Sequence, residues 1–506
     1  MSALLSRKSF KKLIAVLLAV LIPATVCACR GEEDVPTQEA EPENTVELSV
    51  PYEPADGLNP FTITTETNSR LVSLMCRGLY YLDTAYTPQP DLAADSYLSG
   101  LSLEVVLGAE KFSDGRFITA ADVVYSFERA KNSPLYSGRL SGIDGCTEKN
   151  SSSVVFSLSV KNVNITASLT FPIVENGTAD EESSRPVSCG YYRYSAGHLS
   201  VNPHCESVLP AGRINLVDVT GEESQTALVD SGKLDFSFAD MSGGESVQCA
   251  SPSVSVYLNN LIYVGLNFNG PNMGSTSIRR AVALALDRRA IVETALQGAG
   301  RPASVPFNTS WSEFAALGAA GQGSDVTDRV TAVKLLSEFG IGERTGEGET
   351  DVKKLKLTLI YPETNSVMFG IARLISDQLA LVNADVTLTA VPSAQYIQTI
   401  NDGGYDMYIG EINLPDNMDA SALLSPYGAA AAGISYSSLS CDEYYTDYLQ
   451  GDITLSEFTD CFMSEQPFIP IAFRNGKFFF SQRVSGVGSV TKSALYRNLP
   501  EWKTEE

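Results

Sequence analysis

Residues able to do chemistry are few in this chain, and their spacing excludes most catalytic designs. His198 and His204 are the only histidines. Six residues apart in a polar stretch, they cannot supply the paired ligands of an H-E-x-x-H helix, so a metal-centred enzyme and histidine-ligated nickel capture are disfavoured. His204 and Cys205 would have to share a face to work as a thiol dyad, and neighbours on a strand point to opposite faces. Ser489-Val490-Thr491-Lys492 has the S-x-x-K form of some acyl-transferring serines, but no S-D-N or K-T-G accompanies it, and there is no G-x-S-x-G and no P-loop. No catalytic residue, metal or cofactor is expected. The carboxylates Glu411, Asp416 and Asp419, with Asn413 among them, differ by position. They are placed on the loop after a strand expected at Tyr405 to Ile409, at the carboxyl end of a parallel sheet, where open α/β sheets put ligands. A cationic group desolvated there needs a paired carboxylate, because an unpaired buried charge is costly.

The elements that must carry these residues follow from periodicity. Strand-like runs lie at Thr45 to Val50, Leu101 to Leu107 and Ser153 to Val160, and the N-terminal part reads as α+β with much strand. A helix is expected from Thr119, whose hydroxyl caps the amide near Asp122 while Asp122 reaches back. Val123, Val124, Phe127 and Ala130 then share one face. Beyond Tyr263, longer helices alternate with strands. Ile278, Val282 and Ala285, then Ile291, Val292, Ala295 and Leu296, recur at helical spacing, with Asp287 a cap between two helices and Gly298 a stop. A strand at Leu355 to Tyr361, a helix at Val367 to Leu381 and a strand at Asp385 to Val391 make a βαβ crossover, which sets the strands parallel. A helix near Ala394 to Asn401 and the strand at Tyr405 to Ile409 extend it, and Phe468 to Phe473 starts a β-rich return. Gly428 to Gly433 is a small-residue loop.

Residues 1–28 read as an export leader. Arg7, Lys8, Lys11 and Lys12 precede an apolar run from Leu13 to Ile22, and Val26-Cys27-Ala28-Cys29 resembles a lipobox. The run is short for a permanent membrane helix and is followed by Pro23. Cleavage before Cys29, with lipid on its thiol, is the expected processing; a cut near Ala28 that releases the protein is the alternative. Residues 29–44, rich in Glu and Pro, form an acidic tether unable to bury a face. The chain carries 60 Asp and Glu against 36 Lys and Arg, a formal charge of −24, and loss of the leader's cations makes it more negative. Such a surface repels nucleic acid, which is not an expected partner. A chain of 506 residues exceeds what one core organises, so two or three domains are expected. The seven cysteines besides Cys27 and Cys29 show no C-x-x-C and no regular spacing. That argues against a disulfide framework or a zinc site, and most are read as small buried hydrophobes.

The segment Lys111 to Lys131, KFSDGRFITAADVVYSFERAK, closely resembles the F-x-D-G-x-x-h-T-A-x-D-V-h-x-S-h-x-R-A stretch of the family-5 extracellular solute-binding proteins, the oligopeptide and dipeptide binders of ABC importers. Its turn at Ser113-Asp114-Gly115 and its capped helix start have local jobs, so it marks the fold and does not touch the substrate. Val264 to Phe307 is similar to the family's strand followed by R-x-A-h-x-x-A-h-D-R-x-x-I-h, Ala332 to Gly340 to its A-x-x-L-L-x-x-x-G helix, and Cys461 to Val487 to its closing strand. Two stretches depart. Around Tyr191 the family's G-T-G-P-Y is SCGYY. After Tyr405-Asp406, where many members carry a tryptophan and a D-Y-P-D-like run, this chain has MYIGEINLPDNMDASALLSP, in a stretch that borders the ligand in relatives.

The resemblance implies an α/β, two-lobed periplasmic-binding-protein-like fold with an extra β-rich subdomain. Residues 45–262 and 468–506 would form a discontinuous first lobe, with the β-rich subdomain at about 73–180, and residues 263–467 the second. It implies a monomeric receptor, anchored through Cys29 at the outer face of the membrane, that captures a short peptide and hands it unchanged to ABC permease subunits. It also puts an amine-recognising aspartate near the loop, with Asp419 or Asp416 the best match. Tyr263, Asn267 and Asn269 sit where the chain crosses between lobes, and such side chains can hydrogen-bond a peptide backbone without reading its side chains. Asn59-Pro60 resembles a family loop at the same cleft. The same fold serves binders of metal chelates, haem, opines or oligosaccharides, and a surface enzyme or signalling receptor is the alternative from another class. Two tryptophans besides the leader, Trp311 and Trp502, are few for the aromatic platforms of a sugar site.

Overall fold

A computed structural model describes residues 45–221, 223–241, 247–317, 327–345, 351–424 and 440–505. The leader, Cys29, the tether and the loop Gly428 to Gly433 lie outside the described residues. In strand β1 (Glu47–Tyr52), Leu48 and Val50 point into the core while Ser49 stays half-buried, the period of a strand. Helix α1 (Glu66–Met75) begins at Thr65, whose hydroxyl accepts from the Asn68 amide, and buries Leu71, Leu74 and Met75. A hairpin of β2 (Tyr80–Leu82) and β3 (Pro88–Pro90) precedes a four-stranded antiparallel sheet. It comprises β4 (Ala93–Ser99), β5 (Ser102–Leu107), β6 (Ile143–Asn150) and β7 (Ser153–Leu158), ordered β4-β5-β7-β6.

Helix α2 (Ala120–Lys131) packs on that sheet. Thr119 and Asp122 close the expected capping box, and Phe127 meets Phe156 of β7 edge to face at 5.6 Å. Next, β8 (Tyr192–Ser195), β9 (His198–Val201) and β10 (Arg213–Asp218) return to β1 as the sheet β1-β10-β9-β8, with β1 and β10 parallel. His204 and Cys205 lie in the turn after β9 rather than on a strand, since the Cys205 amide closes onto the Asn202 carbonyl.

Among the described residues the largest sheet has seven strands: β11 (Phe236–Asp240), β12 (Ser253–Leu266), β13 (Gly300–Pro302), β14 (Leu355–Pro362), β15 (Ala384–Val391), β16 (Met407–Asn413) and β17 (Ile469–Phe480). Their order is β11-β17-β12-β16-β14-β15, with β13 on β17. Helices α3 (Thr276–Ala285), α4 (Arg288–Ala295) and α5 (Ser366–Ala380) are capped by Ser275, Asp287 and Asn365. The expected crossover is present: β14 and β15 pair in parallel from Leu355↔Ala384 to Pro362↔Val391, joined through α5. The strand expected at Tyr405 to Ile409 instead starts at Met407 and runs on, because it keeps pairing with β12 as far as Asn260↔Asn413. Glu411 and Asn413 are therefore strand residues, not loop residues.

Buried side chains from residues 48–258 and 478–502 make one core. In the second half of the chain the sheet separates two more. Leu357, Leu359, Met407 and Ile409 face α3, α4 and α5. Ile360 and Tyr408 face the other way, toward Trp311, α6 (Tyr396–Asp402), α7 (Cys441–Gln450) and α8 (Leu455–Glu465). Strand β12 passes between these assemblies. Val256 and Leu258 belong to the first core, and Ile262, Val264 and Leu266 to the second. Its pairing with β17 loses register between Tyr257 and Leu261, where the two cores meet.

Candidate ligand-binding cavity

At that break in register lies a cavity of about 360 Å³, lined by Tyr257 and Asn259 of β12. One part of the remaining lining comes from the first core: α1, β2, the segment around Arg139 and the C-terminal segment around Arg497. The other part is the end of β16 at Asn413 with the following Leu414, Pro415 and Asp416. A concavity of this size takes a small guest.

The first part is dense in charge. Asp91, nearly inaccessible, accepts from Arg77 Nε and Arg497 Nη1, each at 2.7 Å. Arg77 also reaches Glu110, just outside the lining, at 3.0 Å. Burial works against the Arg77 and Arg497 charges, and Asp91 more than restores them, so both guanidinium groups are held above their ordinary pKa. Glu66 is shared in the same way, between Arg70 at 3.2 Å and Lys492 at 3.1 Å. Burial pulls the Arg70 pKa down, with Glu66 opposing, and the guanidinium lies over the Phe238 ring at 4.3 Å. Among the described residues, Arg139 donates only to the neutral Thr170 hydroxyl, at 2.7 Å.

The second part holds one carboxylate. Asp416 Oδ1 accepts from Asn259 Nδ2 at 2.9 Å, and Asn259 is itself held by Asn308, whose Nδ2 donates to its Oδ1 at 2.8 Å. Among the described residues Asp416 Oδ2 has no donor. Asparagine amides here orient a carboxylate without neutralising it.

The other residues singled out from the sequence lie elsewhere, each for a physical reason. Asp419 caps the chain entering the helical turn Ser421–Leu424: its Oδ1 accepts from the Ser421 amide at 2.9 Å and from the buried Tyr445 hydroxyl at 3.1 Å. Burial, and then the Asp419 charge, push the Tyr445 pKa well up. Glu411 pairs with the buried Arg474, Nε to Oε1 at 2.8 Å. Tyr263 packs against Tyr408 and Phe468, and burial raises its pKa. It stands opposite Gly410, while Tyr408 stands opposite Gly265. A Cβ would come within 2.3 Å of the Tyr263 ring at Gly410 and 2.0 Å of the Tyr408 ring at Gly265, so these ring positions require glycine. Asn267 closes a turn, donating to the Tyr405 carbonyl and accepting from the Asn269 amide, and Asn269 is exposed there. Asn59, fully buried, donates to the Ala179 and Glu181 carbonyls and accepts from the Phe61 amide, which ties two loops together.

Sequence reasoning missed Arg70, Arg77, Arg139, Lys492 and Arg497. They span most of the chain and share no motif, and nothing in composition sets these five apart from the other Lys and Arg, 36 in all. Lys492 of the S-x-x-K run is held by Glu66. Arg279 and Arg288 of the α3–α4 motif are buried donors to backbone carbonyls, including those of Glu465 and Pro470, and so brace β17. Among the described residues, the group with metal-ligand spacing is Cys441, Cys461 and Glu465. Glu465 is engaged by the Ser440 and Cys441 amides, and burial raises both thiol pKa values. The two sulfurs are 3.8 Å apart, a proximity the cysteine spacing did not reveal.

Residues 88–434 match the family described as Bacterial extracellular solute-binding proteins, family 5 Middle. The chain belongs to this family. Its members bind solutes and are not enzymes. Protein XP55 of Streptomyces lividans is 28% identical over 286 residues, 51% of this chain and 50% of that protein. Oligopeptide-binding protein AppA of Bacillus subtilis is 24% identical over 349 residues, 61% of each. The chain thus spans between half and two thirds of the length of these curated relatives. In structure it is similar to Bacillus subtilis AppA in complex with a nonapeptide, with TM-score 0.56 and 19% identity over 92% of this chain and 100% of that one. It is also similar to NikZ from Campylobacter jejuni in complex with Ni(L-His), with TM-score 0.59 and 18% identity over 92% and 100%. These likenesses establish the α/β, two-lobed periplasmic-binding-protein-like fold. The two neighbours hold different guests, so the shared fold does not fix which guest this chain takes. Among the described residues no helix is long and apolar enough to cross a membrane.

Proposed function

We propose that this protein is a receptor, anchored by lipid on Cys29 at the outer face of the membrane, that captures a short peptide in the cavity and delivers it to the permease subunits of an ABC importer. One observation carries the reading: the cavity lies where β12 breaks register, and it is lined on one side by Val72 and Tyr136 of the first core and on the other by Leu414 of the core that includes Ile360 and Tyr408. In this reading the first lobe is residues 45–262 and 468–506, with the β-rich subdomain at about 73–180, and the second is residues 263–467. The irregular stretch of β12 is the hinge. Asp416 takes the peptide's ammonium through its free oxygen, and Asn413 bonds the peptide backbone. No bond is made or broken, so function is a difference in affinity between open and closed arrangements. Contacts away from β12 favour the closed one: Asn164 Nδ2 donates to the Tyr448 hydroxyl at 2.8 Å, Asn417 Nδ2 to Ser168 Oγ at 2.9 Å, and the Val163 amide to the Leu449 carbonyl at 2.9 Å.

Native mass spectrometry of the full-length protein, released gently from detergent, tests this reading. Co-purifying masses that fragment as short peptides support it. A metal chelate or a sugar in their place would overturn the peptide assignment.

A further inference from the structure

Resting on that reading of the cavity, we propose that its guest is an acidic one: a short peptide with a negative group beyond its terminal carboxylate, seated against Arg139 and Arg70. In a chain of formal charge −24, the cavity lining holds five cations and three carboxylates. The pairing is uneven. Asp91 serves both Arg77 and Arg497, Glu66 serves both Arg70 and Lys492, and Glu110 adds a partner to Arg77 from outside. Among the described residues Arg139 has a hydroxyl and no carboxylate as partner. Asp416, the third lining carboxylate, is oriented by a neutral amide and left for a cation.

A guanidinium presents five N–H donors, and those left without acceptors when a cavity closes lose their solvation. Arg70 Nε is already buried without an acceptor among the described residues. A peptide with one ammonium and one carboxylate satisfies Asp416 and one cation, leaving the rest under-neutralised. A second carboxylate on the guest supplies charge-assisted acceptors for Arg139 and Arg70. Low-dielectric walls also focus this positive field against the acidic exterior, drawing anionic guests inward.

The experiment is calorimetric titration of the full-length protein with Ala-Glu-Ala, Ala-Gln-Ala, Ala-Lys-Ala and the C-terminal amide of Ala-Glu-Ala, at low and high salt, with citrate and inorganic phosphate as non-peptide anions. Expected is binding of Ala-Glu-Ala about tenfold tighter than Ala-Gln-Ala, weakest binding of Ala-Lys-Ala, and a preference that shrinks with salt. The amide arm separates a terminal carboxylate from an acidic side chain as the preferred anion. Arg139→Gln should abolish the preference and Arg139→Lys should keep part of it. Ala-Gln-Ala binding as tightly as Ala-Glu-Ala overturns the acidic guest and leaves the peptide reading standing. Citrate or phosphate binding that depends on Arg139, with no peptide bound, keeps the anionic site and overturns the peptide reading. Silence from every probe overturns both. The comparison of peptides on the unaltered protein decides the matter even if an Arg139 variant misfolds.

Discussion

The two parts of the cavity lining are held in place by different forces. In the first, Asp91 and Glu66 are each clamped between two cations, so the framework is itself ionic. In the second, Asn413 and Asp416 are delivered by β16, whose position depends on strand pairing and on tyrosine rings lying over Gly410 and Gly265. That contrast marks where charge can be altered without disturbing the fold. Removing the Asp91 charge should disturb folding, whereas Asp416 should change its charge with little effect on folding.

The largest effect that would break this contrast is at Asp91. Asp91→Ala strands two partly buried guanidinium groups and should cost about 3 kcal/mol in urea unfolding; a loss as small as that of a surface substitution would show that the first part is not ionically framed. The steric counterpart is Gly265→Ala, where the added Cβ meets the Tyr408 ring. We expect a loss of about 2 kcal/mol that added salt leaves unchanged.

A sharper comparison uses two aspartates three residues apart. Asp416→Asn should weaken a free-amine peptide about tenfold relative to its acetylated form, with stability nearly unchanged. Asp419→Asn should do the reverse, losing about 1 kcal/mol of stability through its cap while affinity holds. Equal losses of affinity in both variants would place the amine site between them. Where the two proposed lobes touch, Tyr448→Phe removes the hydroxyl that accepts from Asn164 and should shift the balance toward the open arrangement by about 1 kcal/mol. Small-angle scattering of the unliganded variant would then give a larger radius of gyration.

The smallest effect concerns acid. Burial tends to raise the Asp56 pKa, but hydrogen bonds from Thr65 and Thr64 outweigh it and hold the carboxyl below its ordinary 3.8. A depressed folded-state pKa means that this contribution is fully present above about 3.8 and is lost as pH falls through the lower value. Asp56→Asn should therefore lessen the acid sensitivity of α1, which Asp56 steadies through Thr65, as read by hydrogen exchange between pH 5 and 2.

Much of the fold was legible because its signals are local. The Thr119–Asp122 capping box, the Asp287 cap between α3 and α4 and the β14–α5–β15 crossover depend on residues close in sequence, where periodicity and cap chemistry act directly. The candidate site was legible only in part. The 411–419 segment drew attention because strand ends in α/β sheets face ligands. Whether a carboxylate there meets a guest, a helical turn or an arginine depends on partners far along the chain: Asn259 for Asp416, Tyr445 for Asp419, Arg474 for Glu411.

By itself, the sequence determined the family, the order of helices and strands and an acidic surface, since each follows from composition or from spacing within a few turns. Tertiary structure alone decided which charges meet. Arg70, Arg77, Arg139, Lys492 and Arg497 become one surface only when α1, β2 and the C-terminal segment pack together. Coulomb interaction depends on distance in space, and no local pattern encodes that distance.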